Sequence, residues 1–206
     1  MIAVIDYGVG NLFSLCRSLE AIGQQPVVTG DPELLRQADK LFLPGVGAFQ
    51  DAADKLRQSG LDQVIKEEVA KGKPILGICL GMQLLFEESH EFGHWKGLGL
   101  IPGKVVTMEG VIPAHYKVPH IGWNALTFPA GERHPLLKTV EAGDCVYFVH
   151  TFYATECDES VIATTEYGAT LTAAVARGNV MGCQFHPEKS GDLGLSILRT
   201  FCEGAW

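Results

Sequence analysis

A cysteine framed by glycines at the end of an apolar run is the strongest chemical signal in this sequence. Gly77–Gly81 follows Pro74-Ile75-Leu76 and holds Cys79 at its centre. Glycines on both sides of a nucleophile permit a tight strand-to-helix turn that lifts the side chain above the edge of a sheet. The first backbone N–H groups of the helix can then stabilise a thiolate and an oxyanion. The segment predicts a cysteine nucleophile, with a buried structural cysteine as the alternative.

A cysteine nucleophile needs a base that holds it as a thiolate and later protonates the leaving group. The best candidate is His186, which ends an apolar run and is followed by Pro187 and Glu188. In extended chain, residues two apart point to the same side, so Glu188 can orient the imidazole and stabilise its charged form. By itself, the sequence His186-Pro187-Glu188 is more typical of a solvated turn. Together with the glycine-flanked Cys79, it predicts a catalytic triad.

The other histidines give weaker signals. Polar, turn-rich stretches predict surface positions for His90, His94 and His134. His115 and His120 flank a proline-rich segment without a partner motif, and His150 ends a predicted strand where it could line a cleft. The six cysteines form no C-x-x-C pair, and closely spaced zinc ligands are not evident. The sequence therefore predicts neither a metal site nor a cofactor.

Composition limits the classes of partner. The chain has 206 residues, 47% of them hydrophobic, and a formal net charge of −8, which argues against nucleic acid or an anionic membrane as the main partner. Gly, Pro or charge interrupts each apolar run before it reaches the length of a membrane span. The first residues lack the basic region of a signal peptide, so a cytoplasmic protein is expected.

Alternating strand and helix patterns in the first half must position the cysteine. Strands are predicted at Ile2–Tyr7, Pro26–Thr29, Lys40–Leu43 and Pro74–Ile78. Helices are predicted at Asn11–Ile22, Pro32–Ala38, Phe49–Gln58 and Leu61–Lys71, with another, Met82–Glu88, after the cysteine. This order is typical of an open, mostly parallel sheet with helices on both faces, in which ligands bind beyond the carboxyl ends of the strands. Asp6–Gly8, Gly45–Gly47 and Cys79 should therefore meet at one cleft.

Short β patterns dominate from about residue 97. Strands are predicted at Leu100–Met108, Lys117–Gly122, Cys145–His150, Val161–Glu166, Ala173–Ala176 and Val180–Gln184. A closing helix is predicted at Leu193–Cys202. The economical interpretation is one domain over 1–206, an α/β fold with antiparallel strands added to the parallel sheet.

Two separated motifs resemble the class I, triad-type glutamine amidotransferases: Gly77-Ile78-Cys79-Leu80-Gly81-Met82-Gln83 and Gln184-Phe185-His186-Pro187-Glu188. Within that family, further stretches resemble the glutaminase subunits of imidazole glycerol phosphate synthases. These stretches are Asp6–Asn11, Pro44–Phe49, Pro119–Asn124 and Tyr147–His150. The motifs span almost the whole chain.

The resemblance implies a role for each matching position. Cys79 would attack the side-chain amide of glutamine, His186 would shuttle protons and Glu188 would orient His186. Oxyanion stabilisation would come from the backbone of Leu80 and from the loop holding Val46 and Gly47, which is also a candidate for partner-gated activity. Glutamine would be held by Gln83 and by the backbone of Thr151 and Phe152.

The implied partner is a (β/α)8-barrel cyclase that uses the ammonia to make imidazole glycerol phosphate and an aminoimidazole carboxamide ribonucleotide, on the route to histidine. Pro119–Asn124 and Asp6–Asn11 are the predicted docking surface, with Trp123 as an anchor or a core residue. Three alternatives stay open. They are a glutaminase subunit of another synthase (anthranilate, aminodeoxychorismate or guanylate type), a free-standing cysteine amidohydrolase, and a flavodoxin-like binding module in which Cys79 is merely buried.

Overall fold

The computed structural model describes residues 1–129 and 133–206, and its centre is a nine-stranded sheet. Five neighbouring strands are parallel, in the order β2 (Pro26–Thr29), β1 (Ile2–Ile5), β3 (Lys40–Gly45), β4 (Ile75–Cys79) and β13 (Val180–Cys183). Four antiparallel strands continue the sheet: β12 (Thr170–Arg177), β11 (Val161–Glu166), β8 (His120–Thr127) and β9 (Cys145–His150). The predicted parallel sheet with added antiparallel strands is confirmed.

Helices cover both faces because successive residues of each parallel strand point to opposite sides. Leu41 and Leu43 pack with α2 (Pro32–Gln37), α3 (Phe49–Gln58) and α4 (Leu61–Ala70). Phe42, between them, packs on the other face with α1 (Leu12–Ala21) and α6 (Gly191–Glu203). This alternation explains why the strands read as continuous apolar runs. The core on both faces holds the carboxyl ends of β3, β4 and β13 in fixed register.

A second, four-stranded sheet was not predicted. Its order is β10 (Phe152–Thr155), β7 (Ile101–Thr107), β5 (Phe86–Ser89) and β6 (Trp95–Lys96). The predicted helix Met82–Glu88 is therefore wrong: α5 covers only Leu80–Leu84, and the chain continues as β5. Parallel pairing of β5 with β7 begins at Phe86 opposite Ile101 and overrides the local helical pattern of apolar residues.

Other boundaries shift by a few residues. The strand predicted at Lys117–Gly122 begins at His120 and continues to Thr127, where it pairs with β9 and β11. The strand predicted at Leu100–Met108 is β7 of the second sheet and does not extend the first. Within the described residues, every helix is too short or too polar to cross a membrane.

Candidate active site

Cys79 occupies a strained backbone turn between β4 and α5. Its φ of +55° and ψ of −112° are rare for a residue with a side chain. The turn is possible because α5 approaches β3 very closely: a Cβ at Gly81 would lie 1.7 Å from the carbonyl oxygen of Leu43. Only glycine fits there, so the glycine after the cysteine is required by packing. The predicted strand-to-helix turn is present: Cys79 is the last residue of β4 and directly precedes the first residue of α5.

His186 and Glu188 form a buried pair, as the sequence predicts. The Nδ1 atom of His186 lies 2.7 Å from Oε1 of Glu188, and the side chains are only 2% and 3% exposed. The prediction that the chain is extended between these two residues is wrong, because Pro187–Lys189 form a 3-10 turn. Ser190 holds this turn by donating from Oγ to the carbonyl of His186 and accepting from the N–H of Tyr147.

The environment of His186 favours its protonated form. Burial opposes the charge, but Cys79 and the hydrogen-bonded Glu188 favour it more strongly, so the pKa of His186 rises above its ordinary value. The other ring nitrogen, Nε2, has no hydrogen-bond partner of normal geometry among the described residues. Such loose geometry between nucleophile and base is common before substrate binds. The arrangement places an imidazole that favours its charged form, and that a carboxylate orients, beside the cysteine.

A cavity of about 430 Å³ opens beside Cys79 and His186. The sequence-predicted oxyanion and substrate residues all line it: Val46, Gly47, Leu80, Gln83, Thr151 and Phe152. They come from three separate parts of the chain, which the pairing of strands in the sheets brings together. For example, Gly45 pairs directly with Cys79, which places the following loop beside the cysteine.

Sequence reasoning missed Gln184 as part of this site. Its side chain is completely buried, and Nε2 lies 3.8 Å from Sγ of Cys79. Gln83 donates from Nε2 to Oε1 of Gln184 and to the carbonyl oxygen of Phe152, both at 3.0 Å. The two amides thus fix the backbone at Phe152 relative to the cysteine. The available signal was spacing, because Gln184 lies two residues before His186.

Three further lining residues were also missed: Glu91, Phe92 and Lys189. Glu91 accepts a hydrogen bond from the backbone N–H of Phe49 at 3.0 Å, and burial raises the pKa of its carboxyl. The Phe92 ring meets Phe152 edge-on, with centroids 5.7 Å apart. Glu91 and Lys189 provide one acidic and one basic group at the cavity. Only Lys189, next to Glu188, had a sequence neighbour that could have indicated it.

His120 and His150 form a second buried pair behind the cavity. The Nδ1 atom of His120 lies 3.1 Å from Nε2 of His150, whose Nδ1 lies 2.8 Å from the carbonyl oxygen of Phe152. His150 lines the cavity, as the sequence suggested. Its contact with His120 was not predicted from the sequence. Burial lowers the pKa of each histidine to about 4, which makes both neutral at pH 7.

Known proteins are related to this chain over almost its whole length. Residues 3–204 match the family described as glutamine amidotransferase class-I. The chain is 52% identical over 204 residues to the imidazole glycerol phosphate synthase subunit HisH of Halalkalibacterium halodurans, covering 98% of this chain and 94% of that protein. It is also 52% identical over 204 residues to HisH of Geobacillus kaustophilus, with 98% and 95% covered.

Solved structures support the fold. PurLQS from Thermotoga maritima superposes with a TM-score of 0.76 at 22% identity, covering 98% of this chain and 96% of that chain. A crystal structure described as a glutamine amidotransferase gives a TM-score of 0.75 at 19% identity, covering 98% of this chain and 100% of that one. At these identities the likeness concerns the fold alone.

The triad geometry, the fold and the sequence match together define the class: the chain belongs to the class-I glutamine amidotransferase family. Within that class it belongs with the HisH glutaminase subunits of imidazole glycerol phosphate synthase, which act in histidine biosynthesis. The protein is thus an enzyme subunit that uses glutamine and works with a partner subunit.

Proposed function

We propose that Cys79, His186 and Glu188 are the residues with which this chain hydrolyses glutamine to glutamate and ammonia. The observation that carries this assignment is the buried His186–Glu188 pair beside a strained Cys79 at the base of a cavity. Glu188 orients and charges His186, and His186 in turn keeps Cys79 as a thiolate. Glu188 contacts the imidazole and is not among the residues that line the cavity, so it is a positioning residue.

In the first step, Sγ of Cys79 attacks the carboxamide carbon of glutamine and the carbonyl π pair moves to oxygen. The resulting oxyanion is stabilised by the N–H of Leu80 and by the backbone of the Val46-Gly47 loop. His186 then gives its proton to nitrogen as the C–N bond breaks, and ammonia leaves. Water, deprotonated by His186, cleaves the thioester to glutamate and restores the thiolate.

The cavity also offers groups that suit the zwitterionic end of glutamine. Glu91, Lys189, Thr151 and Phe152 all line the cavity, and we assign Glu91 to the ammonium group and Lys189 to the carboxylate of glutamine. The Gln83 amide donates to the carbonyl oxygen of Phe152, and Gln184 accepts a second hydrogen bond from the same amide. This arrangement favours a free amino acid over a side chain within a long peptide.

The decisive experiment compares ammonia production and its transfer for wild type and Cys79→Ala, each mixed with a candidate cyclase. We expect Cys79→Ala to lose at least about a thousandfold in kcat, as triad nucleophiles do, while cyclase binding is kept. Cys183→Ala is the matched control, because Cys183 is a buried thiol outside the cavity. Appreciable glutaminase activity in Cys79→Ala would overturn the assignment.

We further infer that the partner is a (β/α)8-barrel cyclase and that it docks over the mouth of the cavity. Ile121 and Trp123, on β8, are 58% and 55% exposed although both are large and apolar. Pro119 lines the cavity, and Gly8–Gly10 line a neighbouring depression together with Val46 and Gly47. Exposed apolar residues next to the oxyanion loop support a docking surface made of Pro119–Asn124 and Asp6–Asn11.

Removing the Trp123 ring should weaken docking. We expect Trp123→Ala to cost about 2 kcal/mol of binding free energy, roughly thirtyfold in Kd, because aromatic anchors dominate interfaces. Isothermal titration with the cyclase measures this directly. Val28→Ala, an exposed apolar residue on the opposite edge of the sheet, should bind normally. Equal Kd values for Trp123→Ala and wild type would contradict the proposed surface, as would selective binding of a chorismate-using or nucleotide-binding partner.

The unit that performs this reaction is proposed to be one domain over 1–206, acting in the cytoplasm. The central sheet runs through both halves of the chain, and the triad draws on both. Separate expression of the two halves should therefore give no folded, active piece.

A further inference from the structure

A cluster of three potential metal ligands lies outside the triad, on the second sheet. Glu88 is in β5, His90 follows that strand, and His94 directly precedes β6. The Nε2 atom of His90 lies 2.9 Å from Oε1 of Glu88, and Nδ1 of His94 lies 3.6 Å from Oε2. The two imidazoles face each other, with ring centroids 4.1 Å apart. The glutaminase mechanism uses none of these groups.

The donor set suits a divalent transition metal ion. One ligand atom from each of the three side chains lies within 4.8 Å of the others. Two imidazole nitrogens and one carboxylate oxygen are ligands that Zn²⁺ takes at about 2.0–2.2 Å, usually with a tetrahedral arrangement. A tetrahedral ion at that distance places its ligand atoms about 3.4 Å apart, so the three atoms must approach one another by no more than about 1.4 Å. We propose that Glu88, His90 and His94 form a binding site for a divalent transition metal ion such as Zn²⁺.

The backbone around the cluster is already held in place. Glu88 pairs with Lys96 across the β5–β6 ladder, and the N–H of His90 donates to the carbonyl of Val105 at 2.8 Å. His94 is 68% exposed, which leaves room for water as a fourth ligand. A site with fixed backbone and an open position binds metal without refolding of the chain.

The site would connect to the cavity through the loop it closes. Glu91, Phe92 and Gly93 lie between the two histidines, and the first two line the glutamine cavity. The loop is anchored by the Trp95 indole N–H, which donates to the carbonyl of Glu91 at 2.8 Å. A metal ion bridging His90 and His94 therefore restrains the cavity wall that carries Glu91 and Phe92.

Cobalt binding tests the site directly, because Co²⁺ reports its ligands by visible absorption. The full chain is used with Cys79→Ala and Cys145→Ser, which remove the cavity thiol and an exposed thiol that could also bind metal. We expect saturable binding of one Co²⁺ with d–d bands, no thiolate charge-transfer band, and displacement by Zn²⁺. His90→Gln and His94→Gln, made in that background, should each weaken binding by about tenfold or more.

Two further measurements keep the result interpretable. His115→Gln, an exposed histidine outside the cluster, should bind Co²⁺ normally. Circular dichroism checks that each variant is folded, and Zn²⁺ should raise the Tm of the background protein but not of His94→Gln. No saturable binding, binding unaffected by both glutamine variants, or a thiolate charge-transfer band would each overturn the proposal. Because Cys79 is absent, none of these outcomes depends on the glutaminase assignment.

Discussion

Cys79 combines a reactive position with a backbone that only close packing can maintain. Its positive φ is rare for a residue with a side chain, and Gly81 leaves no space for a side chain against Leu43. Such strain of about 1–3 kcal/mol persists where the surroundings determine the conformation. The neighbouring His186 is buried and yet favours its charged form because of Cys79 and Glu188. The reactivity of Cys79 thus depends on the close approach of Gly81 to Leu43 and on the contact of His186 with Glu188.

Replacing Glu188 with glutamine tests the effect of its negative charge without changing its volume. Glu188→Gln keeps the volume but loses the negative charge, so the pKa of His186 should fall and the imidazolium should be lost at lower pH. We expect kcat to drop by about 10²–10⁴ and the alkaline limb of the pH–rate profile to move to lower pH. Asp192→Asn, a surface carboxylate in the first turn of α6, serves as the control. An unshifted alkaline limb would contradict the positioning role.

At the scale of elements, the loop after β3 brings Val46 and Gly47, the proposed oxyanion residues, to the cavity that Cys79 lines. Gly45 is held against Cys79 by the β3–β4 ladder, whereas Gly47 has a φ of +95° and open space around its Cα. Val46, between them, is 43% exposed and lies beside the proposed docking surface. A rigid strand end followed by a free glycine suits a loop whose peptide orientation responds to the partner.

Alanine at Gly47 tests this gating. A side chain disfavours positive φ by about 1–2 kcal/mol, so Gly47→Ala destabilises the loop conformation of the isolated subunit. We expect the glutaminase activity without the cyclase to change by about fivefold and the activation ratio on adding the cyclase to differ from that of wild type. Gly60→Ala is a matched control, since Gly60 has a φ of +71°, open surroundings and a position at the start of α4. An activation ratio equal to that of wild type would refute the gating.

At the scale of the whole molecule, buried neutral histidines tie stability to pH. His120 stacks on Tyr167, with ring centroids 3.9 Å apart, and contacts His150. Folding lowers the pKa of both histidines to about 4, so the unfolded chain binds more protons between that value and its own pKa of about 6.5. Stability from these groups is therefore present near pH 7 and lost as the pH falls from about 6.5 towards 4. The raised pKa of His186 acts in the opposite direction.

His120→Phe keeps a stacking ring and removes one of these titrations. We expect the free energy of unfolding of wild type to fall on going from pH 7 to pH 5 by about 2 kcal/mol more than that of the variant. Urea unfolding at the two pH values measures the difference. His115→Gln, an exposed histidine, should behave like wild type. Equal pH dependence in His120→Phe and wild type would show that this histidine is not kept neutral by the fold.

Local sequence signals were sufficient for four of the five parallel strands and for the pairing of His186 with Glu188. Apolar runs punctuated by glycine, proline and Asp31 predicted the strands and helices up to β4, and the residues around Cys79 and His186 indicated the chemistry. These features depend on neighbours along the chain and on short-range sterics. The helix predicted over Met82–Glu88 failed because strand pairing with Ile101, distant in sequence, outweighs local periodicity.

By itself, the sequence determined which residue types carry the chemistry and that a parallel sheet positions them. Only the tertiary structure decided which groups complete the site: Gln184 against Cys79, Glu91 on the cavity wall, and His120 against His150. The physical reason is that these contacts join residues far apart in the chain through the register of two sheets. Hydrogen bonding and burial then determine the protonation of Glu91, His120 and His150. Neither property can be predicted from the residues that are neighbours in the sequence.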